Sequence, residues 1–257
     1  MAAPKPHERL TRFWQDDHGL GILLAFIAVN IFVIGPLRDI GFLGHISLGI
    51  AFGLILVSGI FATARSLPVA IFFAAVALFT QVVHWITWED PNHWLALPDA
   101  IASLVATALL TGIVAVQVFR EGPVTIGRIN GAITVYLLVG LMFSFAYTAT
   151  RLLVPNAFAM TTPLPNDSAA TSSFLYFSLS TLTTVGYGDI VAVYPLARSL
   201  ANLESLIGQM FPAVLLARLV SMELYYRQRN FEREQAELDR RAIAREIAKL
   251  LKEETHR

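Results

Sequence analysis

Thr184, Val185, Gly186, Tyr187 and Gly188 are consecutive residues whose strongest chemical asset is the row of carbonyls on their main chain. A cation that gives up its water shell needs a dense set of oxygens at fixed separation. Backbone carbonyls suit this, being strong dipoles without a full charge that would trap the ion. For successive carbonyls to face one axis, some residues must take backbone angles closed to most side chains, and glycine reaches those angles at little steric cost. Gly186 and Gly188 alternate with Val185 and Tyr187, so the two larger side chains can brace outward while the carbonyls turn inward. The Thr184 hydroxyl adds the innermost oxygen.

The elements that must hold this stretch are apolar helices. Of 257 residues, 55% are hydrophobic and 15% charged, against about 45–50% and about 25% in ordinary soluble domains. The excess is bunched into runs near the 20 or so residues that a spanning helix needs. Six segments qualify, near Gly19–Leu37, Leu43–Ala64, Leu67–Trp88, Leu95–Phe119, Gly131–Leu153 and Tyr194–Tyr225. The stretch Ser172–Leu182 is apolar but too short to cross. Followed by glycine-rich backbone, it reads as a re-entrant loop, which survives at membrane depth only when buried in protein or lining a watery path. Placing both termini inside puts Lys5, Arg9, Arg12, Arg65, Arg120, Arg128 and the basic tail on the cytoplasmic side, as the lysine and arginine bias requires. The re-entrant loop then dips in from outside. The N-terminal segment lacks a signal-peptide pattern and reads as cytoplasmic. Zero net charge gives no reason to expect nucleic acid as a partner, and the lack of cysteine excludes disulfides and thiolate metal sites.

The run "TTVGYGD", Thr183 to Asp189, resembles the potassium-channel signature, and the layout around it is similar to the six-helix, voltage-gated-type branch of that superfamily. The resemblance covers Gly131–Tyr225; the first four helices match in number and topology, without a motif. It implies an all-α membrane protein with six transmembrane helices, a re-entrant pore helix and a selectivity filter. The carbonyls of Thr184, Val185, Gly186 and Tyr187, with the Thr184 hydroxyl, would form stacked potassium sites, and Gly188 would complete the outer end. Thr183 would support the filter. Tyr187 would pack against the pore-helix aromatics Tyr176 or Phe177, and Asp189 would sit at the outer mouth. One chain carries one signature and a ring of oxygens needs about four, so the expectation is a homotetramer in the lipid bilayer, with K+ as permeant ion and no cofactor.

Asn202–Leu224 holds Gly208 and Pro212 in one apolar span, and by resemblance Gly208 stands at the hinge of the inner helix. Pro212 removes a backbone hydrogen bond and is expected to bend the helix. Helical spacing places Gln209, Pro212, Leu216 and Val220 along one face, read as the cavity lining, with Leu216 and Val220 as a dewetting gate. The plainer alternative is that glycine and proline only shape packing. Glu204 is an acid inside an apolar helix, and function is the default reading at membrane depth. It is either a modulatory acid behind the filter or a hydrogen-bonded structural residue.

Voltage sensors of the resembling family carry arginines at every third position of the fourth helix, whereas here that segment has no basic residue before Arg120. Weak or no voltage dependence is expected. The cluster from His84 to Trp94 reads as an interfacial tryptophan belt with a solvated acidic loop, or else as a proton or divalent-ion sensor. No nucleophile–base pair, metal-ligand cluster or phosphate cradle argues for an enzyme.

The expected organisation is a cytoplasmic segment 1–18 and a non-charged four-helix peripheral domain 19–120. A pore domain 121–225 follows, with pore helix 172–183 and filter 184–188, then a charged cytoplasmic helical tail 226–257. That tail is a solvated helix or a weak coiled coil through Ile243, Ile247 and Leu250, and is too short for a folded nucleotide- or calcium-binding module. The function expected is a passive potassium channel in the cell membrane. The alternatives are a weakly selective cation channel and a non-conducting membrane sensor or scaffold.

Overall fold

The computed structural model describes residues 17–39, 53–59, 75–76, 78–80, 82, 96–120, 125–161 and 168–255. The elements are α1 (Asp17–Val29), a π-helical turn (Asn30–Ile34), α2 (Gly35–Asp39), α3 (Ala96–Val118), α4 (Ile126–Leu153), β1 (Phe158–Met160), α5 (Ser168–Leu182), β2 (Ile190–Ala192) and α6 (Pro195–Thr255). Among the described residues four helices are long and apolar enough to cross a membrane: Gly19–Leu37, Ala96–Val118, Ile126–Leu153 and Pro195–Arg241. The expected spans Leu43–Ala64 and Leu67–Trp88 are described only at 53–59 and at 75–76, 78–80 and 82, and the His84–Trp94 cluster falls outside the described residues.

The chain divides into two compact units, one of residues 1–120 with 125–213 and one of residues 121–124 with 214–257. In the first unit α1, α3 and α4 pack side by side. Leu20, Leu23, Ile27 and Ile31 recur at helical spacing and are buried, and α3 answers with Leu110, Val114 and Val118. Backbones approach where side chains vanish: a Cβ on Gly131 of α4 would lie 2.6 Å from Val118 and 3.0 Å from Leu20. Buried hydroxyls in α3 are accommodated by bonding one turn back, Thr107 to the Ser103 carbonyl and Thr111 to the Thr107 carbonyl, both at 2.7 Å. The π turn has a local cause. Pro36 cannot donate, and its ring would crowd the carbonyl four residues earlier, so the helix widens and the Gly35 amide bonds to the Asn30 carbonyl instead.

Three boundaries differ from the sequence reading. α4 begins at Ile126 rather than near Gly131, because Thr125 caps it by accepting from the Arg128 amide at 3.4 Å. α5 begins at Ser168, earlier than the expected pore helix 172–183, and ends at Leu182. α6 runs unbroken from Pro195 to Thr255, so no loop separates the sixth apolar segment from the charged tail. Glu, Arg, Lys and Ala propagate a helix as well as leucine does.

The described part of the second unit is α6 from Val214 onward, whose charged stretch is dressed with pairs one turn apart. Arg227 bonds Glu223 at 2.7 Å and Gln228 bonds Glu232 at 3.1 Å. Ile243 is exposed, and the side chains of Ile247 and Leu250 lie outside the described residues.

Candidate functional site: the Thr183–Asp189 segment and its supports

After α5 ends, the chain doubles back along its last turn. The Thr183 amide donates to the Leu179 carbonyl at 3.0 Å and that of Thr184 to Thr181 at 2.9 Å. Val185 and Gly186 share the Ser180 carbonyl at 2.9 and 3.1 Å. The amides are thus turned toward the pore-helix side. Left-handed backbone then recurs at every second residue: φ is +60° at Thr184, +56° at Gly186 and +82° at Gly188. Alternation between left- and right-handed angles brings successive carbonyls toward one side of the strand. Glycine tolerates this freely, but threonine is β-branched and seldom found there. The left-handed Thr184 was not visible in the sequence, which marked only the glycines.

On the flanks, the Tyr187 ring stacks on Tyr176 of α5 with centroids 5.8 Å apart and planes at 10°. The Asp189 side chain lies close enough to Tyr176 to interact with it electrostatically. Asp189 is pinned further by its backbone, whose carbonyl accepts the Thr161 amide at 2.9 Å, while its Oδ1 accepts the Ile190 amide at 3.1 Å. β1 and β2 form a two-stranded antiparallel sheet with Phe158 opposite Ala192 and Met160 opposite Ile190, and Arg198 caps the Ala192 carbonyl at 3.2 Å. Residues 154–161 therefore stitch the end of α4 to the segment leaving Gly188.

Phe177 does not join Tyr187. It turns into an aromatic cluster with Tyr147 of α4 at 4.9 Å and Phe158 at 5.8 Å, and Phe158 meets Phe174 at 4.7 Å. Glu204 of α6 is fully buried beside this cluster. Its Oε2 accepts the Tyr147 hydroxyl at 2.5 Å, its Oε1 pairs with Ser178, and the Ser178 hydroxyl also lies 2.6 Å from the Gly140 carbonyl. Buried polar groups are tolerated when bonded in this way. Tyr147, Ser178 and Tyr136 were missed in the sequence reading. A tyrosine and a serine inside apolar runs were the signal that could have paired Tyr147 and Ser178 with the lone acid.

At the inner end, the Leu182 carbonyl is one of the free acceptors at the close of α5, and the Tyr136 hydroxyl donates to it at 3.1 Å. A Cβ on Gly208 would lie 1.8 Å from that same oxygen, so Gly208 is the point where α6 backbone touches α5 backbone. The next residue, Gln209, donates from Nε2 to the Thr184 Oγ1 at 3.0 Å. Thr183 instead turns its hydroxyl to the Leu179 carbonyl at 2.7 Å. Pro212 lies within the continuous helix, beside Phe211, whose ring meets Phe119 at 6.2 Å and Tyr136 at 5.8 Å. Leu216 and Val220 are exposed residues of the second unit. Among the described residues no group of three or more His, Cys, Asp and Glu could hold a metal ion.

A family model described as ion channel matches residues 133–224, the stretch just built from α4 to α6. Over 92 residues, 36% of this chain, it is 35% identical to the inward rectifier potassium channel Kirbac3.1 of Paramagnetospirillum magnetotacticum, of whose length the match spans only 27%. Over 129 residues, 47% of this chain, it is 31% identical to the protein LctB of Bacillus caldotenax, of which the match spans 93%. No solved structure gives a significant match. With α5, the doubled-back segment and both flanking helices inside the matched stretch, the chain belongs to the ion-channel family.

Proposed function

We propose that this protein is a potassium-selective channel that conducts K+ passively through Thr184–Gly188, with four copies of the chain arranged around one axis. One observation carries the reading: left-handed φ at residues 184, 186 and 188, with the amides of 183–186 held by the pore helix. That backbone offers its carbonyls in register, as replacement of a hydration shell requires. The segment is also open on the single subunit, with Val185 54% and Tyr187 68% exposed. Further copies would cover it and complete the oxygen ring. Leu216 and Val220 would form the constriction on the inner side, and Asp189 would concentrate cations at the outer mouth. Both termini would be cytoplasmic, in a multi-pass protein of the cell membrane. Partial sequence identity to a protein named as a potassium channel supports this choice of ion.

Flux from purified protein in liposomes under opposed K+ and Na+ gradients tests it. The expected result is K+-selective flux that barium blocks. Equal passage of both ions would replace this reading by a weakly selective channel, and absence of flux by a non-conducting sensor.

A further inference from the structure

We infer that Gln209 is a positioning residue for the innermost cation site, holding the Thr184 hydroxyl oxygen and so setting how tightly that site binds an ion; this rests on the conduction reading above. Thr184 combines two unusual demands. Its backbone is left-handed at φ +60°, where a β-branched side chain is strained and persists only when neighbours over-determine it. Its hydroxyl must also point where an ion can use it, although a threonine side chain has more than one staggered state.

The supports come from different elements. The backbone is fixed from α5, by the Thr184 amide bonding to the Thr181 carbonyl at 2.9 Å. The side chain is fixed from α6, by Gln209 Nε2 donating to Oγ1 at 3.0 Å. This donation occupies one lone pair of the hydroxyl oxygen and leaves the other for a cation. A donor is the right partner here, because an acceptor at 209 would draw the hydroxyl proton inward and leave the same lone pairs undirected.

Gln209 can act as a fixed support because its neighbour cannot move. Gly208 lies against the Leu182 carbonyl so closely that even a methyl group would clash, and Tyr136 clamps that carbonyl from α4. The distance from the α6 backbone to the start of the filter is thereby set one residue away from the amide. Thr183 shows the contrast, since its hydroxyl is spent on the Leu179 carbonyl and receives nothing from α6.

The test is a double-mutant cycle on the full-length protein in liposomes, reading block of K+ flux by barium, a divalent ion of potassium's size. Wild type, Gln209→Leu, Thr184→Val and the double variant are compared. Loss of one neutral hydrogen bond should weaken barium block by about fivefold in Gln209→Leu. The double variant should block no more weakly than Thr184→Val alone, because the two changes remove one shared interaction. Additive effects, or unchanged block in Gln209→Leu, overturn the inference. Should Thr184→Val not assemble, the Thr184→Ser background keeps the hydroxyl, and Gln209→Leu must there again weaken block about fivefold; no shift overturns the inference. Wild-type protein without K+ flux would instead remove the conduction reading itself.

Discussion

Tyr147 on α4 donates its phenolic hydrogen to Glu204 on α6 at 2.5 Å, and both side chains are fully buried. The same carboxyl meets Ser178 of α5, so a single acidic side chain joins α4, α5 and α6. Ser178 has one proton and faces two acceptors, the Gly140 carbonyl and Glu204 Oε1. A donor at residue 204 would complete the chain of bonds.

Glu204→Gln is therefore predicted to be mild, because the amide can give a hydrogen to Ser178 and accept one from Tyr147. Glu204→Leu strands the Tyr147 hydroxyl in an apolar cluster, while Ser178 keeps the Gly140 carbonyl, and should cost about 1–3 kcal/mol for the one unsatisfied group. Thermal melting of the purified protein in detergent measures this. Equal melting of the two variants would show that the bonds do not matter.

Gly208 yields a sharper stability test. A Cβ there would meet the Leu182 backbone at 1.8 Å, and main chain, unlike a flexible side-chain tip, cannot swing aside. Gly208→Ala should cost about 3 kcal/mol or more, the upper end of overpacking penalties, and lower the melting temperature accordingly. Were its role only that of a flexible hinge, the alanine variant would melt like wild type and change gating alone.

Within the filter, Gly186→Ala forces a methyl-bearing residue to φ +56°, a left-handed conformation costing roughly 1–2 kcal/mol. Space is not the obstacle, since nothing lies within 4 Å of that Cβ. The fold should survive with little change in melting, while K+ flux falls to near background as the carbonyls lose their alignment. Retained, barium-sensitive flux in this variant would contradict the proposed path.

Voltage sensitivity is predicted to be shallow. The buried polar side chains of α3 include Ser103, Thr107 and Thr111, neutral hydroxyls at one-turn spacing. Moving one elementary charge through the field yields about 2.3 kcal/mol per 100 mV, and hydroxyls supply no such charge. Patch recordings across a wide voltage range should give an open probability that changes little. A steep curve would place gating charge elsewhere in the chain.

What the sequence disclosed followed from strong local rules. Long apolar runs announced α3, α4 and the apolar part of α6, and two alternating glycines announced the left-handed backbone at residues 186 and 188. The features it hid are set by tertiary contact. Nothing in the residue type of Thr184 signals a left-handed φ, which exists because the amides of 183–186 are drawn back along α5. Phe177 and Tyr176 are adjacent aromatics, equally suited on paper to brace Tyr187, yet a helix sends neighbours to different faces. Tyr176 stacks on Tyr187, and Phe177 enters the cluster around Tyr147. β1 and β2 are three residues each, too short to register as alternation, and they pair across about thirty residues of sequence, just after a turn where Asn156 has φ +62°.

The openness of Val185 and Tyr187 on a lone subunit bears on inheritance and dosage. If conduction takes contributions from every copy, a single faulty chain spoils the complex it joins. Equal co-expression of wild type with a pore-dead variant would leave about one sixteenth of assemblies intact, the fourth power of one half, for a closed ring of four. Such a gene would behave as dominant when damaged.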